Sequence, residues 1–544
     1  MATPEKYFVR EGNWVKVVFP FSKWTIAQVK KLVKRRWDSS QKVWFCENNE
    51  TNKEKLLKWG FVDNDLPNGL TKFPTQLNVD KKQNYVSVDS SEVRMMPGLR
   101  KYQKQGVLFT HSREGRVLIA DDMGLGKTIQ AIGYLYSLPK KRPAVIVCPA
   151  TVKFNWENEI RKWLPHEKIV IASGQKPSKL QSFTILIINY DILHYWSTFL
   201  RKKDIEVLIL DECQYLKNME AKRTKAARRL SKTIPNLIAL SGTPIENHPY
   251  EFYSILSMID KQLFTSSWEY AEAYCAPRFH ERFGWDFTGS SNSEGLNNLL
   301  TSTIMIRRKK TEVAKEIPEK TRIILPLELT NRKEYTEAKG DFIQYLRKTK
   351  GEKTAKRGEK AKALVQLSYL KQLTVEGKIK ACLDWIADFV ETGNKIVAFA
   401  AHRKTIDYIM SKFPKIAVKI DGSCSQSARK LAVEKFQTDP NTLLMVGNIK
   451  AAGVGITLVA ASNACFVELA DTPTKQDQAE DRICRIGQKA KQVNIYYLIG
   501  RDSVEEPIMQ MLDTKRKVID KVIDGHKTEE IELLTYLMEY YLSV

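Results

Sequence analysis

The chain has no apolar run approaching the ~18 residues that a membrane-crossing helix needs, and no charged-then-apolar stretch at its start of the kind that directs export. Neither membrane insertion nor secretion is expected, so the sequence reads as intracellular. Cysteine is sparse: eight residues scattered over 544, none in a Cys-x-x-Cys pair. That suits a reducing compartment, cytoplasmic, nucleoid or nuclear, and argues against structural zinc. No internal repeat is evident. Negative charge is also in short supply. Sixty-three Asp and Glu face 87 Lys and Arg, for a net charge of +24. An excess of that size, clustered as it is here, points to a polyanionic partner rather than to lysine-rich solubilisation alone.

What is present is enough for several domains. Residues 1–62 read as a small α+β unit, with strands at Tyr7–Val9, Trp14–Phe19 and Val43–Cys46 and helices at Ile26–Arg36 and Lys53–Trp59. In the first helix Ile26, Val29 and Val33 should point inward and Lys30, Lys31, Lys34 and Arg35 outward. Trp24, Trp37, Trp44 and Trp59 are expected to fill its core, while the basic face beside aromatics suits phosphate contact and base stacking. Residues 63–97 are polar, with Pro67, Asn68-Gly69 and Pro74, and read as a linker carrying one short strand at Tyr85–Val88.

From 98 to 300, short apolar runs alternate with amphipathic helical text: Val117–Ala120, Ala144–Cys148, Thr184–Asn189, Val207–Asp211 and Leu237–Leu240. Such alternation implies a parallel, doubly wound sheet. Residues 301–390 read as basic and helical, with charge clusters at Arg307–Lys310 and Lys350–Lys362, the second expected as a loop. A second strand series fills 391–510: Ile396–Ala400, Ala417–Ile420, Leu443–Val446, Ala464–Glu468 and Val493–Leu498. Helices from Pro507 onward, occupying 511–544, end in the apolar-rich Ile531–Leu542.

Two stretches carry chemistry. In Val117-Leu-Ile-Ala-Asp-Asp-Met-Gly-Leu-Gly-Lys-Thr128 a buried strand runs into a glycine turn and then a helix. The glycines let backbone N–H groups approach a triphosphate, and the helix N-terminus favours its charge. Lys127 would reach the β- and γ-phosphates, and the Thr128 hydroxyl would hold Mg2+. The common pattern has glycine five residues before Gly126, where this chain has Asp121. In Leu208-Ile-Leu-Asp-Glu212 an apolar strand ends in paired carboxylates at the sheet edge where open α/β sheets bind ligands. Asp211 suits magnesium, and Glu212 suits activation of the attacking water. Together they point to hydrolysis of ATP or GTP.

Asp121–Thr128 and Asp211-Glu-Cys-Gln-Tyr-Leu-Lys-Asn218 resemble motifs I and II of the Swi/Snf-type ATPases, a branch of superfamily two helicases. Leu99-Arg-Lys-Tyr-Gln103 resembles the family's opening motif, Val147–Val152 with Asn155-Trp156 motif Ia, and Leu240-Ser-Gly-Thr-Pro-Ile-Glu-Asn247 motif III. Ile304–Val313 with Ile317-Pro318 resembles the segment joining the lobes. Val397–His402, Ala451–Leu458 and Gln478-Ala-Glu-Asp-Arg-Ile-Cys-Arg-Ile-Gly-Gln488 resemble motifs IV, V and VI. The resemblance runs from about residue 99 to 525. The second half and residues 30–45 look most like the distant branch that contains the HepA-related annealing helicase.

The resemblance implies two RecA-like parallel-sheet lobes in tandem, an α/β fold with a small N-terminal α+β domain and helical insertions. It implies ATP and Mg2+ as cofactors, with Gln103 reading adenine and Asp122, Gly124, Gly126, Lys127 and Thr128 lining the nucleotide. Arg482 and Arg485, three apart and so on one face of a helix, would reach the γ-phosphoryl group from the second lobe; Gln488 joins them in the catalytic set. Lys153, Asn189, Ser241, Thr243, His402, Gly455 and Thr457 are the residues implied for DNA binding and coupling. One departure is clear: many relatives carry Trp-Asn-Pro before motif VI, and this chain has Asp471-Thr-Pro473. The expected function is a monomeric DNA-dependent ATPase translocating on double-stranded or forked DNA, annealing strands, reversing forks or migrating branches. Displacement of proteins from DNA, an ATP-clamped DNA-binding platform and RNA unwinding are the alternatives.

Overall fold

The computed structural model describes residues 7–19, 23–38, 43–59, 61–63, 91–177, 182–245, 248–280, 284–314, 316–350, 357–452, 455–523, 536–537 and 540–541. It divides into two compact units, residues 1–82 and 83–544.

In the first unit β1 (Tyr7–Glu11), β2 (Trp14–Val18), β3 (Arg36–Asp38), β4 (Val43–Glu47) and β5 (Val62–Asp63) form one sheet in the order β3-β4-β2-β1-β5. Alternation in β2 sends Val15 and Val17 inward, where they meet Phe8, Val29, Leu32, Cys46, Leu56 and Phe61. The helix expected over Ile26–Arg36 stops at Val29. Lys34 takes a left-handed φ of 47° and Arg36 opens β3, which pairs with β4. Buried Asn52 fixes that reversal by bonding both the N–H and the C=O of Val33. Val33 is therefore 44% exposed rather than inward. The tryptophan core is also corrected. Trp37 is 49% exposed and lies 5.4 Å from Trp44, while Trp44 and Trp59 only edge a core of aliphatic residues, Cys46, Phe8 and Phe61. The Trp24 side chain lies outside the described residues.

In the second unit the first lobe is built on β6 (Arg116–Ile119), β7 (Ala144–Cys148), β8 (Ile169–Ile171), β9 (Ile185–Asn189), β10 (Val207–Asp211) and β11 (Asn236–Leu240). A small hairpin, β12 (Arg278–His280) and β13 (Gly284–Asp286), stands apart, and β14 (Met305–Ile306) returns to the sheet edge beside β6. The order is β14-β6-β11-β10-β7-β9-β8, all parallel. β7, β9 and β11 are buried at every position because helices cover both faces, which is why they read as unbroken apolar runs.

The second lobe comprises β15 (Glu319–Leu327), β16 (Ile396–Ala400), β17 (Ala417–Ile420), β18 (Leu444–Asn448), β19 (Asn463–Phe466) and β20 (Gln492–Gly500). Its parallel sheet runs β15-β20-β19-β16-β18-β17. These two parallel sheets, with the separate N-terminal sheet, give the tandem α/β architecture expected. The 301–390 stretch is not purely helical: β14 completes the first sheet and β15 edges the second. Two long helices, Arg332–Lys350 and Arg357–Glu391, follow. Arg357 onward, expected as loop, is helix; residues 351–356, the Tyr85–Val88 strand, Glu246-Asn247, Gly453-Val454 and most of Ile531–Leu542 lie outside the described residues. Among the described residues, no helix is long and apolar enough to cross a membrane.

Candidate active site

The chain leaves β6 at the carboxyl edge of the sheet and turns through Gly124 (φ 87°) and Gly126 (φ 79°) into the helix Lys127–Ser137. A Cβ on Gly126 would lie 2.7 Å from the Gln103 amide nitrogen, so the turn has room for glycine alone. No side chain caps the helix, which leaves its first N–H groups directed at whatever fills the cradle. Gln103 is buried; its Oε1 accepts from the Arg100 N–H (3.0 Å) and its Nε2 donates to the Leu125 carbonyl (3.1 Å). It braces the turn itself. Lys127 Nζ donates to the carbonyls of Asp121 (2.8 Å) and Asp122 (3.3 Å). Burial lowers its pKa against the opposing pull of Glu212, Asp121, Asp122 and Asp211.

Asp211 ends β10 facing this lysine. Trp156 Nε1 donates to its Oδ2 at 2.7 Å, and Tyr190 Oη donates to its carbonyl at 2.7 Å. Burial and the adjoining Glu212 charge push Asp211 up to about 7. Two carboxylates forced together in a dry site are a donor set that a divalent cation would relieve, so the residues fit magnesium. Glu212 itself has a left-handed φ of 49°, which turns its side chain out of the strand direction. From there a chain of bonds leads to motif III: Gln214 Nε2 donates to Glu212 Oε2 (2.8 Å), Ser241 Oγ to Gln214 Oε1 (2.8 Å), and the Thr243 N–H to Ser241 Oγ (3.1 Å). Thr243 Oγ1 is buried without a partner among the described residues. This orphaned hydroxyl follows Gly242, where a Cβ would lie 3.1 Å from Lys127 Nζ, and it is one that a phosphate oxygen or water would satisfy.

The second lobe closes the site. Arg482 and Arg485 do not lie on a helix as expected, because the helix Pro473–Glu480 ends just before them. Successive turns bring them together instead, and both Nη1 atoms donate to the Ile456 carbonyl, at 3.3 and 3.2 Å. Arg482 is 9% exposed. Burial and Arg485 pull it down to about 10, while Asp481, Glu212 and Asp211 pull the other way. The last two belong to the first lobe, so this guanidinium faces the carboxylates across the cleft. Arg485 lies on the phosphate turn: a Cβ on Gly124 would sit 3.3 Å from that of Arg485.

Residues 102–377 match the SNF2-related domain, and residues 377–487 the helicase conserved C-terminal domain. The chain belongs to the SNF2 family. It is an ATP-hydrolysing enzyme of the helicase-like kind. It is similar to the Caenorhabditis elegans homolog of SWI/SNF-related matrix-associated actin-dependent regulator of chromatin subfamily A-like protein 1, at 32% identity over 94% of this chain and 75% of that one. The Xenopus tropicalis protein of that name is 34% identical over 80% of this chain and 46% of its own length. Human DNA annealing helicase and endonuclease ZRANB3 is 32% identical over 80% and 41%. The chain thus spans under half the length of the frog and human relatives.

In this SNF2-family enzyme several functional contacts were not readable from the motifs. Asp121, the departure from the common glycine, is fully buried. It takes a two-pronged bond from Arg308 (2.9 and 2.5 Å) and a third from Gln130 (2.9 Å). Trp156 and Gln214 lay inside quoted motifs without an assigned role; they prove to hold Asp211 and Glu212. Complementary buried charge was the available signal for Asp121 and Arg308, but the partners are 187 residues apart.

The residues implied for DNA coupling occupy varied positions. Lys153 Nζ donates to Asn189 Oδ1 (3.3 Å) and the Ala172 carbonyl (3.0 Å) at one sheet edge. Ser241 is fully buried, which leaves it a link rather than a contact. His402 is held at Glu468 through its backbone N–H (2.7 Å) and Nδ1 (3.0 Å), with its side chain 65% exposed. Gly455, at φ 76°, meets Val152 of the first lobe so closely that a Cβ would fall 2.3 Å from its methyl. Thr457 Oγ1 accepts from Arg485 Nη1 (3.0 Å), holding that arginine in the cleft. Gln488, expected in the catalytic set, instead clasps its own loop: Nε2 donates to the Ala461 (2.8 Å) and Ile483 (3.0 Å) carbonyls, and Oε1 accepts from Ala490. Asp471, where many relatives carry tryptophan, is exposed within 4.0 Å of Lys371, Lys450 and Lys475.

Proposed function

We propose that this chain is a DNA-stimulated ATPase that translocates on double-stranded DNA and remodels junctions by annealing strands, reversing forks or migrating branches. The observation that carries the reading is the divided pocket. Lys127, Asp211 and Glu212 stand on one lobe and Arg482 and Arg485 on the other, so one triphosphate would require both. ATP and Mg2+ are the cofactors that such a donor set fits, the metal held at Asp211 and Thr128 and the triphosphate in the Gly124–Lys127 turn. Bound magnesium would neutralise charge developing on the phosphoryl oxygens. Glu212 orients and deprotonates the attacking water, and the arginines meet the γ-phosphoryl charge. Hydrolysis then depends on lobe closure, and a cycle of closing and opening displaces one lobe along a bound strand.

A net charge of +24 supports a nucleic-acid track held by phosphate contacts without sequence preference. The annealing activity in the printed name of the human relative supports junction remodelling as the work done. In the N-terminal unit, exposed Trp37 stands with Trp44 on one face of the sheet, and on the other face Arg36 lies over the rings of Trp14 (4.6 Å) and Phe45 (5.0 Å). These surfaces support stacking with unpaired bases at a junction. The test is ATP turnover with single-stranded, duplex and forked DNA, and with RNA as competitor. Strongest stimulation by forked or duplex DNA is expected. Preference for RNA, or turnover indifferent to nucleic acid, would overturn the reading.

A further inference from the structure

The segment Arg307–Lys310 lies between the phosphate turn and motif VI, and every residue of the link is bonded. On the first-lobe side, the Lys310 N–H donates to Asp122 Oδ2 (3.0 Å) and the Asp122 N–H to the Arg308 carbonyl (3.0 Å). Arg307 Nη1 donates to the Ala120 carbonyl (3.0 Å), and Arg308 pairs with buried Asp121. The Lys310 backbone is thereby fixed to the strand-to-turn corner that shapes the cradle. Its ammonium reaches the other way, to Asp481 Oδ1 at 2.8 Å in the second lobe. Asp481 immediately precedes Arg482. Its second partner is Lys320 of β15, at 2.7 Å, on its own lobe.

The division of labour follows from those partners. Lys320 belongs to the same sheet as the loop that carries Asp481, so their bond persists whether the cleft is open or closed. The Lys310 backbone is bonded to the opposite lobe, so its ammonium bond spans the cleft. A charge-assisted pair of low exposure adds direction as well as attraction, because each donor competes for one carboxylate oxygen. Burial works against the Asp481 carboxylate, yet Lys310 and Lys320 hold it below the usual range, so it is charged when the latch forms.

We propose that Lys310 is a positioning residue, whose ammonium draws Asp481 across the closing cleft and thereby sets Arg482 against the Asp211–Glu212 carboxylates. This rests on the reading of Arg482 as an arginine that meets the γ-phosphoryl group. It assigns to the joint between the lobes a direct part in hydrolysis: the chain stretch that shapes the phosphate turn also registers the arginine from the far side.

The full chain is tested as Lys310→Met, Lys310→Arg and Arg482→Lys. Methionine keeps the apolar stem packed near Gly124 and leaves Asp481 its bond to Lys320, so folding is preserved; Lys310→Gln serves as a second neutral variant. With duplex DNA present, Lys310→Met should lower kcat by about tenfold to 100-fold, the range for a misplaced reacting group. Its equilibrium affinity for a fluorescent ATP analogue should stay within about twofold of the parent, since the cradle-side bond of Lys310 is made by its backbone. Dyes at exposed Lys202 and Asn441 should report incomplete lobe closure with a non-hydrolysable ATP analogue, and Lys310→Arg should recover most of both. Parental kcat in both neutral variants, or affinity falling in step with kcat, would overturn the proposal. Full turnover in Arg482→Lys would instead overturn the arginine reading on which it rests.

Discussion

Asp211 sits in a dry corner with Glu212 at its side and Lys127 across from it, and it lies near 7 for that reason. Below that pH the native site binds a proton that a cation must displace, so apparent affinity for magnesium-bound ATP should climb with pH and level off above about 7. Isothermal titration in buffers of different ionisation heat would register proton release that fades above neutrality and disappears in Asp211→Asn. The chemistry itself is checked by Lys127→Ala and Glu212→Gln. On the proposed mechanism each removes a group that would act on charge developing during hydrolysis, and turnover should fall by at least about 100-fold while duplex DNA is still bound in a mobility-shift titration. At this scale the sequence was informative where one residue type is chemically irreplaceable: the lysine of the turn, the acid pair, the two arginines. It was silent on Trp156 and Gln214, because an indole N–H or an amide bonding a carboxylate leaves no spacing to read.

The phosphate turn and the joint between the lobes behave as one element, bound through the buried pair of Asp121 and Arg308. Arg308 also donates to Gln130 (2.9 Å) and to the Tyr102 carbonyl. Removing one partner of such a pair strands the other without solvent, so Arg308→Met should cost about 3–5 kcal/mol, read as an earlier first-lobe transition in denaturant. A loss under about 1 kcal/mol would mean that water reaches Asp121 after all. Ten strands of the two sheets were legible because helices on each face demand apolar residues at successive positions, whereas the short β8 and β14 at the border of the first sheet were not. β15 was not, since Lys320 and Arg322 point at the buried acids Glu480 and Asp481 and give an edge strand the look of a basic surface. The reversal at Lys34 was hidden for another reason. Ile26, Val29 and Val33 fit a helical period, and only pairing of β3 with β4, together with the grip of Asn52 on Val33, breaks it.

For the whole molecule the question is what the N-terminal unit adds to the proposed motor, whose nucleotide site would lie in the other unit. Deleting residues 1–62 should weaken stimulation by forked DNA more than by plain duplex. Equal losses on both substrates would assign the unit a structural role only. Duplex affinity of either form should fall steeply with added salt, because displaced counterions rather than base contacts drive it.

One feature of the second sheet bears on how the protein comes into being. Its edge strand, Glu319–Leu327, is synthesised long before Gln492–Gly500, the neighbour against which all nine of its residues align. Until the ribosome has released that late segment, the nascent second lobe must wait with an unpaired border and its inward-facing lysine and arginine unmatched. A chain cut short before Gln492 would therefore carry a finished first lobe and an adhesive, unfinished second one, the kind of product that chaperones retain and proteases clear.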